Sequence, residues 1–183
     1  DWTDNNKYNK DMVDWNYTAP QETVSILKKY ALNKNSKILD AGCGTGLVGI
    51  ELKKYDYSNI EGVDFSQNML DLVPQDIYKK IEKIDLNKFL KFKNNAYDVV
   101  MCVGTFTYGH VKPQALDELI RITKNRGLIC FTINEGIYKE YGFDNKIKEL
   151  SDKKSWNVKE FFKSDYIVSK NVNAWLCLSK ITK

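Results

Sequence analysis

The chain has 183 residues with 28 basic and 24 acidic side chains, a net charge of +4, which suits one domain with a single sizeable core. The lysines are scattered rather than clustered, which speaks against a nucleic-acid footprint, and no apolar run approaches the ~20 residues of a membrane span. Four widely spaced cysteines (Cys43, Cys102, Cys130, Cys177) form no CxxC pair, so they predict reduced, mostly buried thiols of a cytoplasmic protein with no metal site.

Residues 1–17 are polar and aromatic, with Trp2, Tyr8, Trp15 and Tyr17 and no strand signal; they form a lid-like segment ahead of a core at 18–183. Thr18 with Gln21 predicts a capping box opening a helix, with Pro20 in its first turn and Val24, Leu27, Tyr30 and Ala31 on its apolar face. A strand at 37–41 runs through a glycine loop into a helix ending near Lys54, and a second strand covers 59–63. Ser66 caps the next helix, with Met69, Leu70 and Val73 facing inward and Pro74 stopping it. Ile81–Asp85 is a weak third strand, and Tyr97–Val103 is the continuous apolar run of a central strand covered on both faces. A helix with Pro113 in its first turn carries Leu116, Leu119 and Ile120. Leu128–Ile133 forms the fifth strand. Asn157 with Glu160 predicts another helix cap, and two strands near 166–169 and 174–181 end the chain. This order predicts an α/β, doubly wound, Rossmann-like seven-stranded sheet, mostly parallel with an antiparallel last strand, in three α/β/α layers.

The functional signal lies in Asp40-Ala41-Gly42-Cys43-Gly44-Thr45-Gly46-Leu47, followed about twenty residues after Gly44 by a strand ending in Asp64. A strand, glycine loop, helix, strand and acid in that order hold a nucleoside-like cofactor at the carboxyl ends of a parallel sheet. A dinucleotide fingerprint needs glycine where Leu47 stands, and Asp40 would repel a pyrophosphate while suiting an ammonium group. The pattern resembles motif I of the class I S-adenosylmethionine-dependent methyltransferases. The segments Tyr8…Met12…Trp15-Asn16-Tyr17-Thr18-Ala19-Pro20 and Val103–His110 are similar to small methyltransferase-like proteins related to the Williams–Beuren region methyltransferase.

The resemblance implies S-adenosyl-L-methionine as cofactor, S-adenosyl-L-homocysteine as product, and methyl transfer by direct displacement. Gly42, Cys43 and Gly44 would bring backbone amides to the methionine part, Asp40 would meet its ammonium, and Asp64 would accept the ribose hydroxyls. Phe65, Met69, Asp85 and Leu86 would border the adenine, with Cys102 and Val103 under the sulfonium. Met69 and Phe65 read equally well as core; the alternative for Asp64 is a surface carboxylate or a cap for the next helix, and that for Asp85 a helix cap before 86–89.

The strand-four loop reads Val103-Gly104-Thr105-Phe106 in place of the [N/D]-P-P-[Y/F] of adenine- and glutamine-directed enzymes. Only about 30 residues separate strands five and six, room for a small cap. Both features favour a small-molecule acceptor, with no nucleic acid or membrane as partner and a monomer or homodimer as the assembly. Tyr8, Trp15, Tyr17, Phe106, Tyr108, Tyr138 and Tyr141 collect where such an acceptor would enter, and their faces suit a cation; packing of the leading segment explains the first three as well. His110, the single histidine, is the candidate proton acceptor and Tyr108 the weaker one, against a structural or exposed role. A cofactor-binding protein with other chemistry, such as cofactor cleavage or regulation, and a nicotinamide-linked oxidoreductase are the alternatives.

Overall fold

The computed structural model describes residues 7–30 and 32–183; Trp2 and Ala31 lie outside the described residues. Seven strands form one sheet in the order β3-β2-β1-β4-β5-β7-β6. They are β1 (Ile38–Ala41), β2 (Ile60–Asp64), β3 (Lys80–Lys83), β4 (Tyr97–Phe106), β5 (Thr123–Asn134), β6 (Trp156–Ile167) and β7 (Val172–Ile181). β1 to β5 pair in parallel, while β7 runs antiparallel to both β5 and β6. The order reverses between β1 and β4, so their carboxyl ends open the crevice where this class of sheet binds ligands.

The helices are α1 (Lys7–Asp14), α2 (Ala19–Lys28), α3 (Leu47–Lys53), α4 (Gln67–Leu70), α5 (Ala115–Ile122), α6 (Glu135–Glu140) and α7 (Phe143–Asp152). Both sheet faces are covered. On one, Leu116, Leu119 and Ile120 of α5 pack with Val100, Ile129 and Phe131. On the other, Val24 and Leu27 of α2 and Val48 and Leu52 of α3 pack with Ile38, Val99 and Met101. This two-sided cover explains the unbroken apolar run of β4. Among the described residues no helix is long and apolar enough to cross a membrane.

Four expectations change. Thr18 precedes α2, yet its side chain makes no cap bond there; its hydroxyl donates to the Asp165 carbonyl instead, so the residue ties α2 to β6. Helix α4 ends at Leu70, its one buried residue, with Met69 and Val73 only half-buried. Asn157 and Glu160 cap no helix: both lie inside β6 and pair with Lys180 and Leu178 of β7. Their charged neighbours mimic a helix start because β6 is the sheet edge and its outer positions face water. No helix follows Asp85, where Asn87 N donates to Asp85 Oδ1 at 2.9 Å in a turn.

Residues 7–18 are held against the core. Tyr17 bridges Ile167 at the β6 edge, Ser169 N donates to the Trp15 carbonyl and Thr18 N to that of Tyr166. Thr45 Oγ1 donates to Asn9 Oδ1 at 2.6 Å, which fastens α1 to the glycine loop.

Candidate active site

The loop after β1 turns three times through left-handed glycines, Gly42 (φ +80°), Gly44 (+53°) and Gly46 (+91°), a region other residues enter at a cost. Gly42 N and Cys43 N both donate to the Val63 carbonyl, at 2.8 and 2.9 Å. Gly44 N donates to Asp64 Oδ2 at 2.8 Å, and Asp64 Oδ1 accepts from Ser66 N at 2.8 Å. The glycine-loop amides expected to reach outward are therefore engaged by β2. That interlock fixes Asp64 at the end of its strand, with a second lone pair left on each oxygen.

Asp40 is fully buried beneath the loop. Its Oδ2 accepts from Tyr78 Oη at 2.6 Å, while Oδ1 is buried without a hydrogen-bond partner among the described residues. Burial pushes its carboxyl up to about 7; the Tyr78 hydroxyl pulls it down, Asp64 pushes it further and the Gly49 amide lowers it. Tyr78 is the site residue that sequence reading missed. A Cβ on Gly49 would stand 2.6 Å from the Tyr78 ring and one on Gly62 3.3 Å away, so glycines within α3 and β2 make the slot that the phenol fills. Two glycines inside regular elements, one of them opposite Asp40 in register, are the signal that points to such a slot.

Phe65 is 67% exposed beside Asp64, with Lys83 Nζ 5.8 Å from its ring centre. Leu86 is buried, and Asp85 Oδ2 lies 3.6 Å from Lys88 Nζ. Cys43, Cys102 and Val103 are buried, and burial pushes the Cys43 and Cys102 thiols far above their usual range.

Tyr8 and Tyr17 gather with Tyr166 of β6. Tyr17 and Tyr166 share a hydrogen bond, their rings meeting edge to face at 5.1 Å. Burial lifts all three phenols, with Tyr166 pushed up to about 12. Asp64 adds to the shift at Tyr8, which places that ring near the acid. Trp15 stacks under Lys170, 5.2 Å from ring centre to Nζ.

The other predicted acceptor residues do not join them. Phe106 is fully buried between Phe131 and Phe143; a β4 three residues longer than expected carries it into the core instead of the entrance. Tyr138 packs on Trp175 and Phe161. Tyr108 is exposed against Tyr141, ring centres 6.0 Å apart. His110 is exposed on the turn after β4, with Nδ1 3.1 Å from Thr107 Oγ1 and its carbonyl accepting from Asn87 Nδ2 at 3.4 Å.

Residues 39–131 match the family model described as a methyltransferase domain. The chain belongs to the class I S-adenosylmethionine-dependent methyltransferases. It is 33% identical over 129 residues to methyltransferase-like protein 27 of Homo sapiens, covering 68% of this chain and 52% of that protein. It is 28% identical over 146 residues to a ribosomal protein L11 methyltransferase of Thermotoga neapolitana, covering 79% of this chain and 52% of that one. The chain thus spans about half the length of these curated relatives. Among solved structures, an S-adenosylmethionine dependent methyltransferase from Mesorhizobium loti aligns with a TM-score of 0.65 at 13% identity, over 83% of this chain and 94% of that one. That likeness concerns the fold. Gly44 follows β1, whose carboxyl end borders the switch point with β4, and Asp64 ends the neighbouring β2.

Proposed function

We propose that this chain transfers a methyl group from S-adenosylmethionine to a small-molecule acceptor. The observation that carries the reading is the 2.8 Å bond from Gly44 N to Asp64 Oδ2, which joins the glycine loop to the acid that ends β2. The residues fit the cofactor. A Cβ on Gly44 would meet nothing within 4 Å among the described residues, so none of those fills the space at the loop, and Asp64 keeps lone pairs for two ribose hydroxyls. Beneath the loop, Oδ1 of Asp40, without a hydrogen-bond partner among the described residues, is an acceptor for an ammonium group. Phe65 offers an exposed aromatic face beside Asp64, suited to a planar base. When bound, the cofactor supplies a methyl carbon activated by its sulfonium.

The chain's own part is alignment and exclusion of water. Tyr8 and Tyr17 wall the side nearest α1 and can attract a cationic group, while Trp15 already carries Lys170 over its ring. His110 is the proposed proton acceptor: Nδ1 lies 3.1 Å from Thr107 Oγ1, and in the tautomer whose Nδ1–H donates to that hydroxyl, Nε2 keeps its lone pair. Support for a small acceptor comes from the cover between β5 and β6, which consists of two helices of six and ten residues.

The similarity to the L11 methyltransferases favours a second reading, a protein acceptor. Calorimetric titration with S-adenosylmethionine, S-adenosylhomocysteine and NADH comes first; saturable binding of the first two alone is expected. Labelled methyl transfer to a panel of small amines, alcohols and thiols then supports the small-molecule reading. Labelling of ribosomal proteins with none of the panel modified would replace it by the second.

A further inference from the structure

β4 and β5 lose register between Cys102 and Phe106, so Val103, Gly104 and Thr105 leave the ladder as a bulge. Bulges of this kind re-aim side chains near active sites. Thr105 fills the space that Gly42 leaves, and a Cβ on Gly42 would collide with the Thr105 side chain. Its hydroxyl lies 3.3 Å from the Ala41 carbonyl oxygen and 3.4 Å from those of Gly42 and Val103. One hydroxyl has one proton to donate, so the ends of β1 and β4 share a single donor.

The neighbouring residue faces the other way. Gly104 has φ +76°, and a Cβ on it would stand 2.5 Å from Tyr17 Oη. Gly104 N donates to Thr132 Oγ1 at 2.9 Å, and Thr132 hydrogen-bonds Tyr166, the partner of Tyr17. Adjacent residues of one bulge thus touch the cofactor loop and the segment that follows α1.

We propose that Thr105 is a positioning residue that couples the cofactor loop at Gly42 to the α1 segment at Tyr17, so that a ligand on the loop tightens α1. The proposal rests on the cofactor reading above. Thr105 acts through Gly42 and Gly104 and need not touch the ligand. A second link, from Thr45 to Asn9, is left intact when Thr105 is changed.

The test titrates S-adenosylhomocysteine into the unsubstituted chain, Thr105→Val and Thr105→Ser, and follows hydrogen exchange of the Lys7–Asp14 amides at matched saturation. Thr105→Val is expected to bind roughly three- to tenfold more weakly, the range that loss of one hydrogen bond brings. Thr105→Ser restores the affinity. Ligand protection of α1 falls in the valine variant and returns in the serine variant. In combination with Tyr17→Phe, the loss is less than the product of the single losses. If Thr105→Val does not fold, Thr105→Ala carries the same expectation. Valine and serine variants that match the unsubstituted chain in affinity and α1 protection overturn the inference and leave the cofactor reading standing. No binding by the unsubstituted chain overturns both.

Discussion

Asp64 is the side chain on which the site turns, since both oxygens hold backbone amides. Asp64→Ala removes two charge-assisted bonds together with the proposed ribose acceptors, so S-adenosylhomocysteine affinity should fall by about 10- to 100-fold, read by calorimetry. Asp40 makes a pH-dependent prediction. Its folded carboxyl is raised from 3.8 to about 7, so the folded state holds the proton more tightly than the unfolded chain. The associated stability is fully present below 3.8 and is lost as pH rises to about 7, by at most about 4 kcal/mol. The pH dependence of the urea midpoint across that window should therefore differ between the unsubstituted chain and Asp40→Asn, the asparagine variant lacking the loss of stability that Asp40 contributes. His110→Ala should leave affinity unchanged while slowing methyl transfer roughly 100-fold or more; an unaltered rate would remove it from the chemistry. Legibility at this scale is uneven. Asp40 and Asp64 announce themselves by spacing, whereas Tyr78 reaches Asp40 across 38 residues and leaves only the gaps at Gly49 and Gly62 as its trace.

At the scale of elements, α3 offers a test against ordinary propensity. Glycine to alanine inside a helix commonly stabilises by about 0.5–1 kcal/mol. Here the new methyl would stand 2.6 Å from Ile77 and Tyr78, so Gly49→Ala should destabilise by about 1–3 kcal/mol and loosen Tyr78 from Asp40. Equilibrium urea unfolding decides the sign. The parallel strands were readable because burial on both faces leaves unbroken apolar runs such as 97–103. The edge strand β6 was not, since its outer positions carry Lys159, Lys163 and Asp165 and imitate a polar helix start. α7 carried a signal, Phe143, Ile147 and Leu150 at helical spacing, of which Phe143 and Leu150 are buried; the terse turn at Gly142 hid where it began.

Across the whole molecule, the doubly wound order and the antiparallel final strand followed from the alternation of patterns, while the long β6–β7 hairpin replaced a predicted helix. All four cysteines are buried and free, and burial raises their thiols, that of Cys177 to about 12. A thiol reagent at neutral pH should label none of them in the native state and all four after denaturation. Saturating S-adenosylhomocysteine should slow labelling that depends on global unfolding, in proportion to its occupancy of the folded state. Fast labelling of even one thiol would contradict the packing described.

The bond between Thr18 and Asp165 spans 147 residues, and the Tyr17 bridge to Ile167 spans a similar stretch. During synthesis on the ribosome, residues 7–18 emerge early, yet the part of their docking surface that β6 supplies exists only once that strand has left the exit tunnel. Contacts so distant in sequence form late, after loop closure has been paid for. Strands β1, β2 and β4, and with them the bed of the cofactor loop, can therefore assemble on the nascent chain well before the tyrosine wall. A translation pause or truncation ahead of the final hairpin would leave β1, β2 and the glycine loop without Tyr166 and its ring contact with Tyr17.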